Sequence, residues 1–346
     1  MNRPVTLALT GDVMLGRGVD ETLQRLGPTH PWGDLLPVLN EADLTVVNLE
    51  CVIARGGQPW SRWPKVFHFR ADPVAVGALQ RAGVDCVTLA NNHVLDYEEE
   101  ALLQMLDLLQ QGGISFTGAG RDLEEARRPA LLEALGLRVG IVAFTDNEPG
   151  WAAQSGVPGT NYIPITLEER ALGPVRESIA LARAAGAGLV VFTIHWGPNM
   201  VQRPTPLFRR FARAVIDAGA DLFFGHSAHI FQGIELHKGR PIIYDAGDFV
   251  DDYVVDPELR NDWGLLFRLE ADGASVRRIE LIPTVIRHRQ VNHATGPERE
   301  AITERVEGLS AELGTTILHQ GERLWIEARA PIPLGNGPGV SRDQSG

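Results

Sequence analysis

The sequence predicts an α/β fold in which two β-sheets pack face to face with helices outside. Three observations predict it. Short apolar runs alternate with amphipathic helical patterns over the first two thirds of the chain; strands joined by short turns, with no long helix between them, fill residues 233–282; and five successive strand ends carry polar, chemically versatile side chains.

The elements follow in order. Residues 5–10 form a buried-strand pattern that ends in Gly11-Asp12, and a helix begins soon after Arg17. A helical pattern over 35–42 leads into a strand at 44–47 that ends in Asn48-Leu49-Glu50. Residues 56–64, with Trp60 and Trp63, read as a loop, 66–70 as an alternating strand and 74–82 as a helix. The strand at 85–89 then delivers Asn91-Asn92-His93 and Asp96 into a loop, the usual place for chemistry in α/β proteins. Residues 98–111 form an amphipathic helix stopped by Gly112-Gly113, 114–117 a strand, 131–135 and 138–144 a hairpin around Gly136, and 146–164 a long loop. A helix over 167–185 precedes the apolar strand 188–194, which ends in His195-Trp196-Gly197; a helix over 206–218 precedes the strand 221–224, which ends in Gly225-His226-Ser227-Ala228-His229. Strands at 233–236, 241–244, 264–269 and 275–282 read as antiparallel, and 298–313 as a last helix. The expected organisation is one domain over 1–285, a helical extension packed on it over 286–330, and a disordered Pro/Gly/Ser-rich tail over 331–346.

Composition narrows the function. The 346 residues are 44% apolar and 22% charged, enough for a well-buried core. The formal charge is −12 and no basic run of five residues occurs, which argues against nucleic-acid binding, since phosphate-backbone affinity needs clustered cations. Cys51 and Cys86, the two cysteines, lie in apolar surroundings and read as buried small hydrophobes; neither a disulfide framework nor a thiolate zinc site is expected. The apolar run after Met1 is too short for a signal peptide and no stretch approaches the ~20 residues of a transmembrane helix, so the expected location is the cytoplasm.

The strand ends carry Asp12, Glu50, Asn92 with His93, His195, and His226 with His229. Carboxylates, an amide and imidazoles make a mixed O/N donor set for one or two divalent ions, suited to Mn²⁺, Fe²⁺ or Zn²⁺ more than to Mg²⁺. Any one such residue alone reads as a packing or solvated side chain; the ordered set reads as a site. Two divalent ions against the carboxylates of Asp12 and Glu50 leave about two positive charges for an anionic substrate, with Glu50 expected to bridge. His93, not itself a ligand, protonates the leaving oxygen, with Asp96 keeping it oriented and raising its pKa.

These residues stand in the segments TGDVMLGR at 10–17, NLE at 48–50, NNHVLDY at 91–97, HWG at 195–197, GHSAHIFQG at 225–233 and YDAGDFVDDY at 244–253. The set resembles the calcineurin-like metallophosphoesterase superfamily and, more closely, its CapA branch of capsule and poly-γ-glutamate synthesis proteins, over roughly residues 5–285. The resemblance implies a four-layer α/β/β/α sandwich, Asp12, Glu50, Asn92, His195, His226 and His229 at metal-ligand positions, and His93 with Asp96 as the acid dyad. Met14 stands where the superfamily has a histidine, and Glu50 where it has a bridging aspartate.

Arg17 and Arg70 are candidates to grip a substrate carboxylate or phosphate, with solvated arginine as the plain alternative; Asn91 and Trp196 are candidate substrate contacts, with core packing as the alternative for Trp196. Asp248, Asp251 and Asp252 read as solvated loop acids, the alternative being partners of the imidazoles. The leading expectation is a metal-dependent hydrolase, a phosphoesterase. A non-hydrolytic accessory protein of polyglutamate assembly that binds an anionic polymer or phosphorylated intermediate, and a γ-glutamyl amidase, are the alternatives.

Overall fold

The structure, a computed structural model, describes residues 3–273 and 275–328, so the 331–346 tail lies outside the described residues. The first strand, Val5–Val13, is the hub of the larger sheet. On one side it pairs in parallel with Leu44–Leu49, beyond which lie Cys86–Thr88 and Ser115–Thr117; on the other it pairs antiparallel with Trp263–Asp272, followed by Ser275–Arg287, Arg323–Glu327 and Leu318–Gln320. The second sheet runs Ala130–Ala134, Leu137–Thr145, Leu189–His195, Leu222–His226, Arg240–Ile243, Ile234–His237, with the central four strands parallel.

The strands are apolar on both faces because each sheet is covered on both sides. In the first strand Leu7 and Leu9 face the space between the sheets, where they share a core with Val139, Ile141, Leu189 and Phe267. Ala8, with Val47 and Leu49 of the neighbouring strand, turns outward to meet Val19 and Leu23 of the helix Arg17–Leu26, Leu79 of Val74–Arg81 and Met105 of Glu98–Gln111. On the far side Phe144, Phe192 and Phe223 stack at 5.3 and 5.2 Å across three adjacent strands, beneath Val175 of Glu169–Ala184 and Phe211 of Pro206–Asp217. The result is the expected four-layer α/β/β/α sandwich. Among the described residues no helix is long and apolar enough to cross a membrane.

Three local expectations are corrected. Residues 66–70 alternate like a strand, but only Arg70–Ala71 pairs, with Val52–Ile53, because the Phe69 N–H is taken by the Asp96 carboxylate at 2.6 Å. The region 286–330 is not a helical extension: beside the helix Gly296–Ala311 it supplies Gln290–His293, Leu318–Gln320 and Arg323–Glu327 to the larger sheet, and the strand Ser275–Arg287 runs straight through position 285. The later strands are also not uniformly antiparallel. Arg240–Ile243 is parallel to Leu222–His226, and Asp248–Val250, read as loop, is a short strand parallel to the end of Val5–Val13.

Candidate metal centre

Strand register brings the polar residues together. Asp12 lies across from Asn48 on one neighbour and Asp248 on the other, and His195 lies across from His226 in the second sheet. Two glycines make the approach close enough. A Cβ on Gly11 would lie 1.8 Å from the Gly247 carbonyl oxygen, and one on Gly225 would lie 2.1 Å from that of Tyr244, so the residues just before Asp12 and His226 can carry no side chain.

Two groups of donor atoms result, each with its atoms within 4.8 Å of one another: Asp12, His195 and His226, and Asp12, Glu50, His229 and Asp248. Asp12 belongs to both, so it, rather than Glu50, is the shared carboxylate; its place at the centre of the larger sheet puts it between the two. Its Oδ1 accepts from Asn48 Nδ2 at 2.7 Å and lies 3.2 Å from His226 Nδ1 and 3.6 Å from His195 Nδ1, while the two imidazole Nδ1 atoms are 3.0 Å apart. Asp12 Oδ2, Glu50 Oε1, Asn92 Oδ1, His226 Nε2 and Asp248 Oδ2 are buried atoms with no hydrogen-bond partner among the described residues. Orphaned polar atoms on this scale are costly unless something else satisfies them, and a divalent cation fits both their chemistry and their convergence.

Charge points the same way. Burial raises Glu50 well above the usual carboxylate range, and the nearby negative charge of Asp12 adds to the effect; burial raises Asp248 too, reinforced by Asp251. Burial works against the charge of Asp12 as well, but His195 and His226 outweigh it and hold this carboxyl well below its ordinary value. Burial lowers His195 to about 4, leaving a neutral ring free to donate a lone pair. Several carboxylates crowded in a low-dielectric setting repel one another, and a divalent ion removes that repulsion.

Beside the donors lies the dyad. His93 Nδ1 is 2.6 Å from Asp96 Oδ2, and its Nε2 faces inward, 3.8 Å from Glu50 Oε1. The ring stacks on Phe69 with centroids 3.9 Å apart. Instead of the rise expected from Asp96, burial, with Lys65 adding to it, pushes His93 well below its ordinary value; burial also raises Asp96 to about 7, against the pull of Lys65 Nζ at 3.4 Å, and so weakens its hold on the ring's charge. Lys65 Nζ also donates to the Asn92 carbonyl at 2.7 Å, which pins the loop that carries His93.

A cavity of about 760 Å³ opens over this cluster, and Arg17, Lys65, Asn92, His93, His229 and Tyr253 are among its lining residues. Arg17 is ion-paired with Asp252 at 3.2 Å. The other three suggested substrate contacts do not line it. Arg70 lies over the Tyr97 ring at 4.7 Å. Asn91 is fully buried and used internally, donating to Leu49 O at 2.9 Å and accepting from the His93 N–H at 3.0 Å. Trp196 is core: it donates to Tyr244 O at 2.9 Å and packs on Phe208 and Phe223. Met14 is also core, its sulfur accepting the Gly16 N–H at 3.1 Å. Both cysteines are buried and free, and burial pushes the Cys51 thiol up to about 12.

Sequence reasoning left three residues that shape the centre out of the site and gave a fourth, Asp248, only as an alternative partner of the imidazoles. Asp248 is fully buried rather than solvated, with its Oδ1 2.9 Å from His229 Nδ1. Asp245 accepts from the Ala228 and Gly247 N–H groups, each at 2.9 Å, bracing the loop between the two histidines. The Tyr253 hydroxyl donates to Glu50 Oε2 at 3.1 Å. Asn48 accepts from Thr88 at 3.1 Å while it holds Asp12. A signal existed for three of these four, since Asp245, Asp248 and Tyr253 fall in the one 244–253 segment.

The chain is 31% identical to the probable polyglutamine synthesis accessory protein of Mycobacterium tuberculosis, over 92% of this chain and 95% of that one. It is 28% identical to the capsule biosynthesis protein CapA of Bacillus anthracis, over 72% of this chain and 61% of that one, and 26% identical to the PGA biosynthesis protein CapA of Bacillus subtilis, over 72% and 63%. The family described as bacterial capsule synthesis protein PGA_cap matches residues 6–253, a span that takes in both donor groups and the dyad, and the chain belongs to that family.

Proposed function

We propose that this chain is a metal-dependent hydrolase acting on phosphoesters, with one or two divalent ions held by Asp12, Glu50, Asn92, His195, His226 and His229, and by Asp248 in addition. The observation that carries this reading is the pair of donor groups sharing Asp12, set beside an imidazole whose inward nitrogen is 3.8 Å from Glu50 and whose other nitrogen is held by Asp96. Mere binding of an anion has no use for such a dyad. Mixed oxygen and nitrogen donors favour Mn²⁺, Fe²⁺ or Zn²⁺. With Asp248 included, three carboxylates against the roughly four positive charges of two ions leave about one positive charge for an anionic substrate.

Ions bound there supply Lewis acidity toward an ester oxygen. The chain supplies the rest. Asp96 takes the Nδ1–H of His93 and fixes Nε2 toward the centre, from where the ring passes a proton to the departing oxygen. Tyr253 steadies Glu50, and Arg17 at the cavity wall draws in negative charge.

Purified protein loaded with Mn²⁺ should turn over aryl phosphates or phosphodiesters. His93→Ala should keep its metal and lose about 10²- to 10⁴-fold in turnover, the range of general acid catalysis; loss of metal in parallel with turnover would make His93 a ligand instead. The names of the relatives favour a second reading, in which the centre holds an anionic polymer or a phosphorylated intermediate of polyglutamate or capsule assembly; a γ-glutamyl amidase is a third. Turnover of γ-glutamyl peptides alone supports the amidase. No turnover on any of the three substrate classes, with metal confirmed bound, supports the accessory role.

A further inference from the structure

Among the large apolar side chains exposed on the described surface, the two most exposed, Val254 at 92% and Val66 at 84%, line the same cavity, with Phe67 at 59% and Val255 at 45% beside them. Isolated exposed apolar residues are ordinary, but a cluster at the mouth of a cavity marks a binding surface. Both segments that carry these tips have irregular backbone, and both are rooted in the centre itself. Phe69 gives its N–H to Asp96 and stacks on His93, Tyr253 gives its hydroxyl to Glu50, and the two rings lie 5.6 Å apart. Phe67 stacks on Phe69 at 6.3 Å, so an aromatic column runs from the rim down to the proton-donating imidazole. Arg17, paired with Asp252, and Lys65, paired with Asp96, stand in the wall with Glu148 and Asp256, so charge at the rim is balanced and the apolar tips are its distinctive feature. The 760 Å³ available is the size of a pocket for a whole small molecule, well beyond the needs of a phosphate group.

We propose that the cavity takes an amphiphilic phosphate ester, with its anionic head at the donor groups and an alkyl or aryl alcohol lying along Phe69, Phe67 and Val66 on one side and Val254 and Val255 on the other. The inference rests on the hydrolase reading for the head and adds the class of leaving group. Because the apolar column ends at His93, the apolar part is the alcohol that departs. Water adds its oxygen to phosphorus, the P–O bond to the alcohol breaks, His93 protonates the alcohol oxygen through Nε2, the proton lost by water passes to solvent, and His93 takes one back from solvent. A uniformly charged polymer would gain nothing from these side chains.

The test uses the full chain loaded with Mn²⁺ and a series of n-alkylphosphonates, which carry the head and tail but no scissile ester, with binding measured by calorimetry. The dissociation constant should fall about fourfold for each methylene until the cavity is filled, the value of burying one such group. Phe67→Ser with Val254→Ser should flatten that dependence, and kcat/KM for n-alkyl phosphates should follow the same trend. Dissociation constants independent of chain length overturn the proposal. So does a flat series accompanied by flotation with phosphatidylcholine vesicles that the double variant loses, because the tips then belong to a membrane contact. Graded phosphonate binding without turnover of any ester removes the hydrolase reading and leaves the amphiphilic ligand; turnover of methyl phosphate with a flat series does the reverse.

Discussion

Asp12 and Glu50 are both buried acids, yet their surroundings set them apart. Two imidazoles keep Asp12 ionised against its burial, whereas Glu50 is driven toward its neutral form by burial and by Asp12. Asp12 reaches both donor groups and Glu50 only one. Elemental analysis should therefore find the metal content of Asp12→Ala close to zero and that of Glu50→Ala about halved if two ions bind. Equal losses would deny Asp12 its central place, and undiminished metal in Glu50→Ala would remove that residue from the ligand set. Asp12, Glu50 and the histidines could be read from sequence because each closes an apolar run, where a polar residue is conspicuous. Asp248 could be read only as one of two alternatives, because Asp248, Asp251 and Asp252 look the same in sequence whether water or protein surrounds them. Burial is decided by partners far away in sequence, in this case the strand bearing Asp12.

At the scale of elements, the centre depends on backbones meeting where side chains are missing. Gly11 lets the Val5–Val13 strand lie against Gly247, so that Asp12 and Asp248 come into register. Gly11→Ala must push these strands apart, which should cost about 1–3 kcal/mol of stability, as overpacking does, and lower metal content as well. Gly77, in the helix Val74–Arg81, has nothing within 4 Å of its absent Cβ, so Gly77→Ala should instead stabilise by about 0.5–1 kcal/mol through helix propensity. Denaturation midpoints and metal analysis of the two variants check the pair, and a harmless Gly11→Ala would refute the close-contact argument. The helices were legible through their stop signals, as with Gly112-Gly113 after Glu98–Gln111. The segment at 66–70 was misleading because alternation records which side chains are apolar and cannot record that Phe69 spends its N–H on Asp96.

For the molecule as a whole, the two sheets meet at the donor groups. Asp12 and Asp248 stand on strands of the larger sheet and Glu50 directly follows one, whereas His195 and His226 end strands of the second and His229 follows from it. The doubly covered parallel strands were readable as near-continuous apolar runs, but the return of residues 318–327 to the larger sheet was not, because pairing with Ser275–Arg287 is non-local. An ion held by both donor groups would tie the sheets together and would also neutralise carboxylates that burial and mutual repulsion drive toward protonation. Ligand binding to the folded state alone stabilises by about 2.7 kcal/mol at a hundredfold excess over the dissociation constant, which for a chain of this length is about 4 °C in melting temperature. Stripping the metal with a chelator should lower the melting temperature by about that much, and restoring Mn²⁺ should recover it. The variant Asp12→Ala, unable to hold the ion between the sheets, should melt at the same temperature with and without chelator. A chelator shift as large in that variant as in the native chain would place the stabilising ion somewhere else.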